Sequence, residues 1–263
     1  MAKAETRTVA PALKALVEGL VDYAGLFPPA SKSLDEALRN YRNYQTDPNS
    51  WMLNCFVVPA KDLDSVSGEF DGHLSVLTDS DCSRAAAIES KAVVKTEKPV
   101  YCEVSPDSLG SLREVKASSN YAKIRCGGVV PEAIPSVKQV SGFILACAEL
   151  DLPFKATAGL HHPIRSEQRL TYEADAPKAV LHGFINVLMA SALAYHGTRE
   201  EEIIKAVLSE SDPGAFSFDE NAHFKDLSLD LDQIKEARKS FIHSIGSCSF
   251  TEPIEDLEKL DLI

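Results

Sequence analysis

The sequence lacks the motifs and segments that mark several large classes of protein. Its six cysteines include no Cys-x-x-Cys pair, which excludes the usual zinc ribbons and thiol redox motifs. No apolar run is long enough to span a membrane, and residues 1–16 lack the apolar centre of a secretory signal. We therefore expect a cytoplasmic protein that has no membrane partner.

Positive charge is scarce, and it is not concentrated anywhere along the chain. Lys and Arg number 27 against 39 Asp and Glu, which gives a net charge of −12 at pH 7. The resulting field repels polyanions, and no Lys/Arg-rich stretch opposes it locally. We therefore expect no nucleic-acid partner.

Internal repeats, proline-rich linkers and a glycine-rich dinucleotide fingerprint are also missing. The chain of 263 residues is 44% hydrophobic, so it can bury a sizeable core. We expect one domain over residues 1–263, with residues 1–19 as an N-terminal helical extension.

Short runs rich in Val, Ile, Phe and Tyr alternate with helix-like segments, a pattern typical of βα units around a parallel sheet. Seven runs are predicted as strands, at 20–27, 52–60, 73–79, 99–105, 121–128, 153–159 and 215–220, with residues 247–250 as an eighth. Because the dinucleotide fingerprint is missing, this number of units favours an α/β fold of the (β/α)8 TIM-barrel type over an open doubly wound sheet.

Start signals and apolar periodicity predict the helices between these strands. Ser33 with Glu36, and Thr198 with Glu201, are spaced as capping boxes at two helix starts. Residues 179–195 are apolar nearly all round, with a stop at Gly197. Such a helix is either deeply covered or packed against another subunit, so residues 179–195 are the predicted contact of a homo-oligomer.

Polar side chains at every second position of three neighbouring strands are predicted to point into the barrel. Side chains alternate along a strand, and the helix-covered outer face of a parallel barrel is apolar, so the polar set faces inward. The inward residues are Tyr101, Glu103, Ser105, Tyr121, Lys123, Arg125, Lys155, Thr157 and Gly159. Their charges require pairing in a space that excludes water, and a structural ion network is one interpretation of the cluster.

Lys155 is the predicted catalytic residue in the other interpretation. A partly desolvated amine with a cationic neighbour loses its proton near neutral pH and can attack a carbonyl to form an imine. Lys123 is the expected cationic neighbour, and Glu103 is expected to orient the substrate or transfer a proton. This chemistry makes an electron sink without a metal, so we expect no cofactor.

The stretch Lys-Ala-Thr-Ala-Gly-Leu, from Lys155 to Leu160, resembles the Lys-x-x-Thr-Gly-Phe-like stretch of the class I aldolases, in particular the deoxyribose-phosphate aldolase group. The Schiff-base lysine of that family lies on the sixth barrel strand, and its second active-site lysine lies on the following strand. The resemblance implies a carbon–carbon lyase in which Lys155 forms a Schiff base with a small oxo or phosphorylated substrate. In this chain the threonine comes one place early, leucine replaces the aromatic residue, and Lys123 lies on the preceding strand.

Substrate-binding groups are predicted at the end of the strand that carries Lys123. Arg125 is followed by Gly127 and Gly128, whose N–H groups beside a guanidinium suit a phosphate or carboxylate. The two glycines also suit a plain turn at a strand end. Thr157 and Tyr101 complete the predicted substrate-binding set.

His161 and His162 begin a predicted active-site loop over residues 160–176, whose length is typical of segments that cover a site. One of the two imidazoles is expected to act as general acid or base. Asp22, near the end of the first strand, reaches the same mouth if its side chain points inward.

Two other functions remain open at this point. Asp22, Glu103 and His161 are the candidate ligands of a metal-dependent barrel lyase, isomerase or hydrolase, although no spaced metal motif accompanies them. Alternatively the barrel is not catalytic and binds a small anion or serves as a scaffold. Cys248 lacks an evident basic partner in the sequence and is interpreted as a packed small residue.

Overall fold

The β-branched and aromatic runs of the sequence form short strands, and amphipathic segments between them form helices. The computed structural model describes residues 8–263. Its strands are β1 (Val21–Tyr23), β2 (Leu53–Pro59), β3 (Leu74–Leu77), β4 (Ala85–Ser90), β5 (Val100–Glu103), β6 (Tyr121–Arg125), β7 (Phe154–Thr157), β8 (Ser166–Arg169), β9 (Lys178–Leu181), β10 (Phe216–Phe218), β11 (Ala222–Phe224), β12 (Leu227–Leu229) and β13 (Ile242–Ser247). Its α-helices are α1 (Pro11–Val17), α2 (Leu34–Tyr44), α3 (Leu112–Ala117), α4 (Val137–Glu149), α5 (Phe184–Tyr195), α6 (Glu201–Ser209), α7 (Leu231–Ser240) and α8 (Thr251–Lys259).

Eight parallel strands close into a barrel of the TIM type, as the sequence predicts. The order around the barrel is β1-β2-β3-β4-β5-β6-β7-β13, and β13 pairs with β1 to complete the ring. Across three adjacent strands Glu103 is level with Lys123, and Lys123 is level with Lys155. The barrel register therefore places these three side chains in one row.

Two of the barrel strands differ from the sequence prediction. β4 was not predicted, and the eighth strand is β13 at 242–247 rather than residues 247–250. The predicted strand at 215–220 forms β10, which belongs to a small antiparallel sheet with β11 and β12 outside the barrel. With β4 included, Lys123 lies on the sixth barrel strand and Lys155 on the seventh.

The helical layer is uneven around the ring. α2, α3 and α4 connect β1 to β2, β5 to β6 and β6 to β7, as βα units do. Within residues 8–263, by contrast, no α-helix lies between β2 and β3, between β3 and β4, or between β4 and β5. The regular βα repeat that the sequence predicts is therefore wrong for this part of the barrel.

The long connection from β7 to β13 carries most of the remaining elements. It contains the antiparallel hairpin β8–β9, then α5 and α6, then the three-stranded sheet and α7. Helix α5 is buried from residue 184 to residue 194, and it packs on α4, α6 and α7. Cover from the same chain explains its apolar composition, and a subunit contact through residues 179–195 stays a prediction.

The predicted N-terminal extension is helical where the structure describes it, since α1 buries four residues and packs against α7. Residues 1–7 of that prediction lie outside the described residues. Among residues 8–263 no helix has the length and apolarity needed to cross a membrane.

One of the two predicted capping boxes is a helix start. The Ser33 hydroxyl accepts from the Glu36 backbone N–H at 3.3 Å, although the Glu36 carboxylate pairs with Lys32 instead of returning to the cap. The prediction at Thr198 is wrong, because α6 begins at Glu201 with Glu200 as its N-cap and no side-chain cap.

Candidate active site

Carboxylates and ammonium groups pair inside the barrel along the row set by the strand register. Asp22 on β1 accepts from Lys155 and from Asn54 Nδ2 at 2.7 Å. Its carboxylate also accepts from Ser244 Oγ at 2.7 Å and from the Cys55 backbone N–H at 3.1 Å. Asp22 therefore points into the barrel, where its oxygens accept from groups on β2, β7 and β13.

Lys155 is fully buried at the centre of this network. Its Nζ contacts Asp22 and lies 2.8 Å from Glu89 Oε1 and 5.3 Å from the centroid of the Tyr101 ring. Burial alone lowers the pKa of Lys155, but Asp22 and Glu89 raise it by more, so the net shift is upward. This direction is opposite to the depressed pKa that we predict from the sequence, because that prediction did not include Glu89 or the pairing of Asp22 with Lys155.

Lys123 lies next to Lys155 and is level with it in the strand register. Its Nζ is 3.2 Å from Glu89 Oε2 and 3.0 Å from Glu103 Oε2. The expected pairing of Glu103 with an inward cation is therefore confirmed, and Glu89 joins the two lysines. Lys123 contacts the cavity described below, whereas Lys155 does not.

Glu89 is the residue of this cluster that sequence reasoning missed. It is 5% exposed and accepts from Ser75 Oγ at 2.9 Å as well as from both lysines. Burial raises the pKa of Glu89. Lys155 and Lys123 lower it by more than burial raises it, so the pKa is about 2. Its carboxylate is therefore ionised across the physiological range.

A cavity of about 840 Å³ opens at the carboxyl ends of the barrel strands. The predicted site residues that line it are Glu103, Lys123, Arg125, Gly128, Thr157, His161 and His162. The other four predicted site residues do not line the cavity: Asp22, Tyr101, Gly127 and Lys155. The sequence-predicted site thus forms two layers, a lined cavity and a buried network beneath it.

Tyr101 belongs to the lower layer, at the amino-terminal half of the barrel. Its hydroxyl lies 2.8 Å from His243 Nδ1, and the Tyr121 ring packs 5.1 Å from the His243 ring. Burial raises the pKa of Tyr101, whereas burial and Arg238 lower the pKa of His243 to about 4. The Tyr101 hydroxyl is therefore hydrogen-bonded to a neutral imidazole, away from the cavity in which it was predicted to bind substrate.

Gly127 and Gly128 allow close packing at the mouth. A Cβ on Gly127 would lie 2.8 Å from the Cα of Gly159, and a Cβ on Gly128 would lie 2.6 Å from the Cβ of Ala133. After β7 the chain turns through Ala158 and Gly159, whose φ angles of +62° and +71° are left-handed. This turn brings His161 to the cavity wall.

His161 lies between three polar side chains from the far end of the chain. Its Nδ1 is 3.0 Å from Ser247 Oγ and 3.2 Å from Glu252 Oε2, and its Nε2 is 3.9 Å from Cys248 Sγ. Burial lowers the pKa of His161, but Cys248 and Glu252 raise it by more, to about 9. Cys248 therefore has the basic partner that the sequence did not reveal.

The predicted loop at 160–176 lies over the cavity and includes β8. Residues 167–172 line the cavity, as do Lys178 and Leu181 of the partner strand β9. The Tyr172 hydroxyl lies 3.8 Å from Cys248 Sγ, and His162 pairs with Asp256 of α8 at 2.5 Å. The hairpin and α8 thus fix the two predicted histidines in different surroundings.

The predicted metal ligands are engaged in separate interactions. Asp22 is bound within the buried network, Glu103 pairs with Lys123, and His161 faces Cys248 and Glu252. Among residues 8–263, no three His, Cys, Asp or Glu side chains are grouped so that they could hold a metal ion. The donor set of the metal-dependent interpretation therefore does not come together.

Comparison with known proteins adds no relative. No family model, no curated protein and no solved structure matches this chain. The function must therefore be argued from the barrel and its cavity.

Proposed function

We propose that this protein is a carbon–carbon lyase in which Lys123 forms the Schiff base with a small oxo substrate. The observation that carries the proposal is the different position of the two inward lysines. Lys123 contacts the cavity, whereas Lys155 is 0% exposed and is held between Asp22 and Glu89. Both amines take part in buried ion pairs, but of the two only Lys123 also contacts the cavity in which a substrate can lie.

The positions of the two lysines among the barrel strands also support Lys123, and not Lys155, as the imine-forming residue. In the class I aldolases that the Lys155 stretch resembles, the Schiff-base lysine is on the sixth strand and the second lysine on the seventh. Lys123 lies on the sixth barrel strand of this chain and Lys155 on the seventh. We therefore transfer the imine-forming role from Lys155 to Lys123 and give Lys155 the role of a fixed cation.

Glu103 is placed to carry the proton of imine formation. Its Oε2 lies 3.0 Å from Lys123 Nζ, and its side chain is 29% exposed at the cavity. Glu103 accepts one proton from the ammonium, and the free amine then adds to the carbonyl carbon. The same proton returns to the hydroxyl group, which leaves as water when the C=N bond forms.

The imine carbon then draws in the electron pair of the Cα–Cβ bond, which breaks as the hydroxyl on Cβ gives its proton to Glu103 and becomes a carbonyl group. The same proton returns to Cα of the enamine, and water hydrolyses the imine to free Lys123. Lys155 is joined to Lys123 through Glu89, which accepts from both ammonium groups and so fixes the position of Lys123. Arg125 and Thr157 lie at the same level on neighbouring strands and line the cavity, where they suit an anionic group of the substrate.

The proposal is tested by reductive trapping. The full chain is incubated with a panel of small aldehydes and ketones and with cyanoborohydride, and the modified lysine is located by peptide mass spectrometry. We expect at least one compound to modify Lys123 more than any exposed lysine. Lys123→Arg keeps the charge and should lose that adduct, while the adducts on exposed lysines remain.

Adducts confined to exposed lysines, with every compound of the panel, would overturn the proposal. An adduct on Lys155 would instead restore the role that the sequence alone predicts. The wild-type map decides between these outcomes even if Lys123→Arg is unstable.

A further inference from the structure

We propose that Cys248 is a second nucleophile of this cavity and accepts the acyl group of a small ester or thioester, with His161 as its base. The proposal does not depend on imine formation at Lys123. It rests on two contacts at the cavity wall, one between Cys248 and His161 and one between His161 and Glu252.

The three side chains have the relation of nucleophile, base and orienting carboxylate. Cys248 Sγ lies 3.9 Å from Nε2 of His161, and the opposite ring nitrogen, Nδ1, lies 3.2 Å from Glu252 Oε2. A base held by a third group beside a thiol is the general arrangement of nucleophilic catalysis. Catalytic contacts are often longer before substrate binds, so the sulfur–nitrogen distance suits this role.

The fold delivers the three residues from separate elements to one place. His161 follows the left-handed turn after β7, Cys248 follows β13, and Glu252 lies in the first turn of α8. β7 and β13 are neighbours in the barrel, so their carboxyl ends meet at the cavity. All three side chains line that cavity.

The surroundings of Cys248 differ from those of the core cysteines. Cys126 and Cys147 are 0% exposed within the hydrophobic core, and burial raises the pKa of Cys126 to about 12. Such thiols stay protonated and inert. Cys248 has a base on one side and the cavity on the other, so a packing role does not account for its position.

The acyl-transfer step balances with groups that the cavity supplies. The imidazole of His161, whose pKa is raised, holds the thiol proton on Nε2 while Sγ adds to the acyl carbonyl carbon. The bond to the leaving alcohol or thiol then breaks, and the departing group takes the proton from His161. Water, activated by the same imidazole, hydrolyses the resulting thioester and frees Cys248.

Tyr172 is placed to stabilise the oxyanion that forms in this step. Its hydroxyl is 3.8 Å from Cys248 Sγ, which places the O–H to donate to an oxyanion that forms on the acyl group at that sulfur. The residue belongs to the segment between β8 and β9 that covers the cavity. Tyr172→Phe should therefore slow acyl transfer more than it slows alkylation of the Cys248 thiol.

The first experiment compares two cysteines of the same molecule. Cys82 is more exposed than Cys248, which is only 5% exposed, so accessibility alone predicts faster alkylation of Cys82. With limiting iodoacetamide at pH 7, we expect Cys248 to react first in the wild-type protein. His161→Gln should remove that advantage and leave the rate at Cys82 unchanged.

The second experiment follows acyl transfer with p-nitrophenyl acetate. We expect a burst of one nitrophenolate per chain and an acetyl group on the peptide that contains Cys248. Cys248→Ala should abolish the burst, and His161→Gln should slow it by about 100-fold, in the range usual for a general base. Tyr172→Phe should slow the burst while leaving alkylation of Cys248 fast.

The outcomes separate this inference from the lyase proposal. Imine trapping at Lys123 and the nitrophenolate burst are measured separately on the wild-type protein, so failure of one leaves the other result standing. Alkylation of Cys248 no faster than that of Cys82, or a burst that persists in Cys248→Ala, would overturn the inference.

Discussion

The imidazole of His161 connects the stability of the protein to pH. Its pKa is about 9 in the folded protein, against an ordinary value of 6.5. A raised folded-state pKa stabilises the protein fully below the unfolded pKa, and this contribution is lost as the pH rises through the folded pKa. The free energy of unfolding should therefore fall between pH 6.5 and pH 9.

The shift corresponds to a loss of about 3 kcal/mol, since one pKa unit is worth about 1.4 kcal/mol. Urea unfolding of wild type and His161→Gln at several pH values in this window measures the loss. The variant should lose less stability than wild type over the same window. His223→Gln, which removes a surface imidazole that pairs with Asp219, is the control and should keep the wild-type slope. Equal slopes in wild type and His161→Gln would contradict the prediction.

Single residues of the site differ in how far the sequence predicts them. The inward direction of Lys123, Lys155 and Glu103 follows from strand parity, which is local and could be predicted. The pairing of His161 with Cys248 joins residues 87 positions apart, and it exists only because β7 and β13 become neighbours. Nothing in a single sequence specifies that adjacency, so the role of Cys248 could not be predicted.

The strands show the same division between local and non-local information at the scale of the element. β2, β3, β5, β6 and β7 have alternating apolar residues and were predicted close to their observed bounds. β4 has the sequence Ala-Ala-Ala-Ile-Glu-Ser, whose alanines have low strand propensity, and it is a strand because β3 and β5 pair with it on both sides. Because the sequence pattern does not predict β4, it also does not predict Glu89, the carboxylate that joins the two lysines, as a site residue.

The end of α5 explains why the predicted cap at Thr198 is wrong. Gly197, at φ +104°, terminates the helix, the Gly197 N–H donates to the Ala194 carbonyl, and the Thr198 N–H donates to the Leu193 carbonyl. These two bonds form a Schellman motif, so Thr198 closes one helix and does not start the next. The capping-box spacing with Glu201 is a coincidence of the short connection.

Helix α7 begins with a complete capping box, whereas α6 begins without a side-chain cap. The Asp230 side chain accepts from the Gln233 N–H at 2.8 Å, and the Gln233 side chain accepts from the Asp230 N–H at 2.9 Å. Asp230→Ala should lower the free energy of unfolding by about 1 kcal/mol, the usual value of an N-cap. Thr198→Ala is the matched control and should change it by less than about 0.5 kcal/mol.

Both variants are compared with wild type by denaturant unfolding. A loss in Thr198→Ala as large as that in Asp230→Ala would show that the hydroxyl of Thr198 does cap α6. The comparison therefore tests the assignment of the helix start as well as the strength of the capping box.

At the scale of the whole molecule, one polar network includes a residue from every strand of the barrel. Asp22, Lys155 and Glu89 form its centre, and Lys123 extends it to the cavity. The members in barrel order are Asp22, Asn54, Ser75, Glu89, Glu103, Lys123, Lys155 and Ser244. A buried ionic network of this extent couples barrel closure to the ionisation of its carboxylates.

Glu89 is the carboxylate on which this coupling can be measured, because it pairs with both lysines. Its pKa is about 2 in the folded protein against an ordinary value of 4.5. A lowered folded-state pKa gives stability that is present above the unfolded pKa and is lost as the pH falls through the folded pKa. The wild-type protein should therefore lose stability between pH 4.5 and pH 2.

Replacing Glu89 removes the counter-charge of two buried ammonium groups at once. Glu89→Gln should lower the free energy of unfolding by about 3–5 kcal/mol at pH 7, the range for breaking a buried ion pair. Glu69→Gln breaks the exposed pair with Arg42 and should cost at most about 1 kcal/mol. Urea unfolding at pH 7 and at pH 3 measures both differences. The Glu89→Gln difference should narrow at pH 3, because Glu89 is then protonated in the unfolded wild-type protein but still ionised in the folded one, which removes part of its stabilisation. A Glu89→Gln protein as stable as Glu69→Gln at pH 7 would mean that closure of the barrel does not depend on this network.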